Sequence, residues 1–405
     1  MSTVIDPETR SESEEAIRTT PSELPGKAEK QARTAINYQS PSYPRIARPI
    51  VRTENRPAFP NWVIMAIATF ILAVMLVLGV FFTQQLGAHS TSASTPTATT
   101  SSTTNSSSSS NSGSSTSSST SQASVPAHQT YDPKAPATPQ GNTVNVTLTV
   151  KELLISIAPG VAYHAWTFNG TVPGPVIRVR QGQTVHFTLV NDGMMPHSID
   201  FHAAQTPWNV NYQEVPVGKS FSFDWKANYP GVFMYHCGAP VAIYHMANGM
   251  YGAIIVDPAQ GWVPAQEFVL LQSEFYTAQN ADGTYSVDAT KLNAGNPDYV
   301  VFNGYVNQYK TSPIVAKAGQ RIRIFVVNAG PTLFSAFHVI GAIFSDTYVD
   351  GNPANHMVGN QTVTVPPGGG VVVELTIPDP GLYPFVTHSF SSVGKGAVGV
   401  FKIVP

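Results

Sequence analysis

The feature that most limits this chain is that it repeats itself in a β-texture. Residues 176–192, VIRVRQGQTVHFTLVND, resemble residues 314–330, IVAKAGQRIRIFVVNAG. Residues 216–237, PVGKSFSFDWKANYPGVFMYHC, resemble residues 366–388, PPGGGVVVELTIPDPGLYPFVTH. Each copy closes on a glycine-led final strand, YGAIIVDP and GAVGVFKIVP. From about residue 141 the chain is short runs of Val, Ile, Thr and Phe broken by Gly, Pro and Asn, with no convincing amphipathic helix. That pattern predicts an all-β fold of two tandem Greek-key sandwiches, 141–258 and 259–405.

The repeat is informative where it fails. Aligning the two Pro-Gly turns sets Thr387 opposite Cys237, the only cysteine in the chain. An intramolecular disulfide is therefore excluded, and only the first copy has a thiolate to offer. Cys237 lies in a stretch, 195–258, that also supplies His197, Asp200, His202, His236, His245 and Met250. A buried cysteine taken alone is most often a small hydrophobe. With two histidines and a methionine in His, Cys, His, Met order it is the ligand set of a blue-copper electron-transfer centre: His197, Cys237, His245 and Met250. Seven residues separate Cys237 from His245, and four separate His245 from Met250, so these three share one loop between strands.

Strand side chains alternate between faces. Read as a strand, MPHSIDFH turns His197 one way and Asp200 and His202 the other. Read as a strand, VFMYHCG turns Cys237 one way and His236 the other. His202 and His236 thus face away from the first copper with a carboxylate beside them. His388, one place after the cysteine position in the second copy, falls on the corresponding face. Three neutral imidazoles with an open position make a catalytic metal arrangement, because water or substrate can take the fourth place. One peptide linkage, between His236 and Cys237, would carry an electron from one copper to the other. Asp200 and His338 are placed to supply protons, although a lone histidine on an apolar strand is more commonly a core residue. His89, His128, His164, His186 and His356 have no evident partner and read as structural or surface groups.

The formal net charge of −2 gives no case for nucleic-acid binding. Residues 1–61 form a polar tail; its first 56 residues carry nine Lys/Arg against eight Asp/Glu with no apolar periodicity, the pattern of a solvated, disordered segment. Residues 62–83 hold 22 residues without a charge, about 33 Å as a helix and enough to span a bilayer. The long leader before them favours an uncleaved anchor over a signal peptide. Arg45, Arg48, Arg52 and Arg56 precede the run and no charge follows until Asp132. The expectation is a single-pass cell-membrane protein with a cytoplasmic N-terminus and its sandwiches outside. Residues 84–140 form a linker whose Ser/Thr-rich part, 90–124, would reach roughly 30–35 Å as a flexible tether.

In order, HSIDFHA, YHCG, HMANGMYGAIIVDP, AFHVIG and FVTHSF resemble the copper-containing nitrite reductases, over roughly 141–405. The resemblance implies two cupredoxin-like sandwiches per subunit and a homotrimer. It implies type 1 copper on His197, Cys237, His245 and Met250. It implies type 2 copper on His202 and His236, completed by His388 of a neighbouring subunit. It assigns proton delivery to Asp200 and His338, and to Ile340 the apolar wall that crowds nitrite. The implied reaction is one-electron reduction of nitrite to nitric oxide, fed by an electron-donor protein of the cupredoxin or cytochrome c kind. There are departures. The Cys-to-His loop is shorter than in many members, Thr362 and Val363 stand where a Glu-Thr pair is usual beside the catalytic histidine, and a membrane anchor is untypical.

Two other functions fit parts of the pattern. A multicopper oxidase needs a trinuclear cluster, with His-x-His pairs and a His-Cys-His; this chain has HCG and no His-x-His. A surface cupredoxin that only carries electrons would need neither Asp200 nor His338.

Overall fold

The structure is a computed structural model that describes residues 124–405. The tail 1–61, the apolar run 62–83 and the linker as far as residue 123 lie outside the described residues.

Two β-sandwiches fill this region. In the first, a six-stranded sheet runs in the order Thr277–Gln279, Tyr285–Val287, Val161–Phe168, Thr143–Ala158, Thr184–Asn191, Ser220–Lys226. It packs on a four-stranded sheet ordered Ile177–Arg180, Tyr251–Asp257, Gly231–His236, Asp200–Phe201. In the second, the sheet Tyr299–Phe302, Gln266–Phe275, Arg321–Gly330, Gly370–Thr376, Phe344–Val349, His356–Asn360 faces Ile314–Lys317, Val398–Val404, Gly381–Thr387, Ser335–Val339, Thr362–Val365. The hairpin Thr277–Gln279/Tyr285–Val287 comes from the second half of the chain yet extends the first sandwich's sheet, pairing at Tyr285 and Tyr163.

Alternation explains how each strand is used. In Ser220–Lys226, SFSFDWK, Phe223 and Trp225 enter the first core while Ser222, Asp224 and Lys226 stay outside. Tyr251–Asp257 is buried along its whole length. Ile254 and Val256 face the first core; Tyr251, Ala253 and Ile255 face Val269, Leu271, Phe325 and Val327 of the second sandwich. A strand covered on both faces reads as a continuous apolar run, which is what YGAIIVD is. At about 1.5–3 kcal/mol per fully buried large apolar side chain, this shared layer holds the sandwiches in one fixed arrangement.

Charges reinforce the same seam. Arg178 donates from Nε and Nη2 to Asp257, both at 2.9 Å, and from Nη1 to Glu267 at 2.7 Å. Glu267 also accepts from Arg323 Nη1 at 2.6 Å, and Arg323 Nε donates to Glu374 at 2.6 Å. The Trp262 ring lies 4.7 Å from the Arg323 guanidinium. Each buried cation is matched, the condition under which a buried ion pair can be tolerated.

Candidate metal centres

The strand Gly231–His236 ends between two clusters of ligand atoms. The first is His197, Cys237 and His245, all buried. Cys237 Sγ lies 3.8 Å from His197 Nδ1 and 3.3 Å from His245 Nδ1, and the two Nδ1 atoms are 3.2 Å apart. His197 is held by an isolated bridge to Val215 and is not part of a long strand; only Asp200–Phe201 of that segment pairs regularly. His245 rides on a short helix, Ala242–Ala247, where the sequence suggested plain loop. Met250 is fully buried in the same core, accepts from Cys237 N–H at 3.1 Å and donates its own N–H to His245 O at 3.1 Å.

Burial pushes the Cys237 thiol up to about 11, against the N–H groups of Ser198 and Ala239. Burial also pulls His245 down to about 4, helped by His197, and lowers His197 against the opposing Glu152. The imidazoles are therefore neutral, and three lone-pair donors crowd together in a buried pocket. A soft cation relieves that arrangement, and one thiolate with two imidazoles fits copper.

The second cluster is Asp200, His202 and His236. Asp200 stands opposite His236 in the antiparallel register. His236 Nε2 is 3.2 Å from His202 Nε2 and 3.7 Å from Asp200 Oδ2. His236 Nδ1 donates to Cys237 O at 2.9 Å, and His202 Nδ1 donates to Gly368 O at 3.0 Å. Backbone carbonyls only accept, so both Nδ1 atoms carry the proton and both Nε2 lone pairs are free. Burial lowers His236, which keeps it a neutral ligand.

His388 does not join this cluster within one chain. It is exposed, its ring 5.2 Å from that of His338. Ile340 is two residues beyond His338, exposed and in the turn that follows the strand Ser335–Val339. Within one chain Asp200, His202 and His236 therefore form one group, and His338 and His388 stand beside each other outside it.

The region matches known proteins along its length. It is 42% identical over 271 residues to a copper-containing nitrite reductase of Neisseria meningitidis serogroup B, covering 64% of this chain and 68% of that protein. The chain belongs to the copper-containing nitrite reductases. Among solved structures it is similar to the copper nitrite reductase from Nitrosomonas europaea, with TM-score 0.61, 38% identity, 65% of this chain and 94% of that one. It is similar also to a copper-containing nitrite reductase from Thermus scotoductus, with TM-score 0.60, 34% identity, 65% of this chain and 62% of that one. Family models described as multicopper oxidase match residues 149–261 and 279–405.

For a nitrite reductase of this family the remaining histidines have ordinary work. His128 stacks on Tyr305, His164 meets Thr284 at 3.0 Å, His186 meets Asp224 at 2.5 Å and His356 meets Asp346 at 2.8 Å. Paired in this way, they are not gathered into the extra cluster that a multicopper oxidase would use. His89 lies outside the described residues.

Sequence reasoning missed four supporting residues. His197 Nε2 donates to Glu152 at 3.0 Å, and Trp166 sets its ring edge-on to His245 at 4.8 Å. His338 Nδ1 donates to Gln361 O at 2.5 Å, beside Thr362, its partner across the strand pair. The fourth is Gly368. The place of Glu152 becomes evident only from the strand register. Val150 pairs with Asn191 as Gln272 pairs with Asn328, so Glu152 and Glu274 occupy equivalent places in the two copies.

Proposed function

We propose that this chain reduces nitrite to nitric oxide, consuming one electron and two protons and releasing water. The observation that carries the reading is the pair of ligand clusters joined back to back through the His236–Cys237 peptide bond. On this reading His197, Cys237, His245 and Met250 hold type 1 copper; His202 and His236 hold type 2 copper together with His388 of a second copy. Copper there would supply one-electron redox chemistry and a Lewis-acidic position for the anion.

The chain's own residues do the rest. Asp200 lies beside His236 and can hydrogen-bond the substrate. His338, oriented through Nδ1 by Gln361 O, stands next to His388 and is carried with it to the neighbouring copy's Asp200. Ile340 narrows the space on that side. Requiring His388 from another copy favours a closed ring, and a homotrimer is the reading we adopt. We further propose that residues 62–83 anchor the protein in the cell membrane with the sandwiches outside, where a cupredoxin or cytochrome c donates the electron.

The test is copper-loaded full-length protein, reduced by an artificial donor without oxygen and given nitrite. Nitric oxide should form in a one-to-one ratio with nitrite consumed, and His388→Ala should abolish it while keeping the blue absorption. Blue protein that forms no nitric oxide would sink the proposal and leave an electron carrier.

A further inference from the structure

The two histidines of the second cluster are oriented by the same device from different sources. His236 Nδ1 donates to a carbonyl of its own strand's end, Cys237 O at 2.9 Å. His202 Nδ1 donates to Gly368 O at 3.0 Å, 166 residues away in the second sandwich. His202 is therefore tied at two points. Its backbone N–H donates to Met234 O at 3.1 Å on the strand that leads to His236, and its ring is tied to the loop 366–370.

That loop is itself fixed. Gly368 N–H donates to Asn328 O at 2.7 Å, Asn328 N–H to Gly369 O at 3.0 Å, and Gly369 N–H to Pro366 O at 3.0 Å. A short bridge then locks it to the first sandwich: Asp350 N–H donates to Gly370 O at 2.9 Å, and Val232 N–H donates to Asp350 O at 2.9 Å. The approach depends on glycine. A Cβ at Gly370 would lie 2.2 Å from Val232 O. A Cβ at Gly368 would lie 3.2 Å from His202 Cε1, and Gly368 has φ +77°. That contact is with the ring itself, so the ring would have to move.

The geometry points to Gly368 as a positioning residue for the second metal centre. Its carbonyl sets the His202 tautomer and aims Nε2 at the metal position, and its missing side chain leaves the ring room to stay there. The inference rests on the reading that His202 and His236 hold the non-blue copper. A partner that orients a ligating histidine is worth roughly 10–100-fold in metal affinity, so this is the size of effect to look for.

The experiment is copper titration of the full-length apoprotein, following blue absorption, copper per chain and the electron paramagnetic resonance signal of the non-blue copper. Four proteins are compared: wild type, Gly368→Ala, Gly368→Asn and Gly319→Ala. Gly319 has φ +69° with nothing within 4 Å of a built Cβ, so its alanine variant carries backbone strain without a ring to displace. Asparagine tolerates positive φ, as Asn169, Asn303 and Asn307 do in this chain. The expected result is that both Gly368 variants keep the blue copper but bind non-blue copper roughly 10–100-fold more weakly, with altered hyperfine coupling, and that excess copper restores part of the activity. Gly319→Ala should match wild type. Gly368→Asn with wild-type non-blue copper affinity and coupling would overturn the role of the ring contact, whatever Gly368→Ala does. Wild type that takes up blue copper alone would overturn the copper reading itself, and this inference with it.

Discussion

A single carboxylate illustrates what the ligand residues require around them. Glu152 is buried beneath the first centre, where its Oε1 accepts from His197 Nε2 and from Met194 N–H, each at 3.0 Å. Its counterpart Glu274 accepts from Thr332 N–H at 3.2 Å and Leu333 N–H at 2.7 Å, in the sandwich that has no cysteine. The shared task is to clamp the loop that follows Asn191 in one copy and Asn328 in the other; holding an imidazole is the addition made in the first copy. Glu152→Ala should therefore weaken blue-copper binding about 10–100-fold, measured by competition with a chelator. Glu152→Gln, which keeps an oxygen for Nε2–H, should lose far less; equal loss in both would deny the orienting role. The proposed ligands were legible because thiolate and imidazole in that order have few other uses, and His197, Cys237 and His245 do come together. Glu152 was not, since a glutamate within a strand usually faces water and its histidine lies 45 residues away.

At the scale of elements, the strands were legible and their partners were not. GVFMYH and YGAIIVD announced themselves as strands, and their unbroken apolar character marks burial on both faces. Alternation placed Cys237 and His236 on opposite sides correctly, because the two-residue period survives to the strand's end. It overreached at MPHSIDFH, where the regular pairing is confined to Asp200–Phe201 and a bridge at His197 does the rest. The helix Ala242–Ala247 was missed because six residues give no readable helical period. The hairpin that crosses to the first sandwich was hidden for a different reason: periodicity marks a strand but not the sheet it joins. The glycines of 366–370 carry no periodic signal, and only the fold shows that one of them faces a histidine.

The whole molecule depends on the sandwiches keeping their relative position, because His202 belongs to one and its anchoring carbonyl to the other. Glu267 bridges Arg178 and Arg323 across that seam. Burial would raise its carboxyl, but the two guanidiniums outweigh it and hold the group below its ordinary 4.5. A depressed folded value means the stabilisation is complete above 4.5 and fades as the pH falls through the lower, folded one. Glu267→Gln should cost about 3–5 kcal/mol at neutral pH, and the gap in unfolding midpoint from wild type should close below pH 4.5. A gap that persisted in acid would place the effect in packing instead. At this scale only the family resemblance implied how copies associate. His388 is not in the cluster of Asp200, His202 and His236 within one chain, and the proposal of a site shared between copies builds on that. The most direct measurement mixes two full-length variants, His236→Ala and His388→Ala, each blue and each unable to form nitric oxide alone. Co-assembled, they should regain nitric oxide formation from nitrite, because each mixed ring contains a site whose ligands are all intact. Mixed rings as inactive as the separate variants, or His388→Ala active by itself, would contradict a site shared between copies.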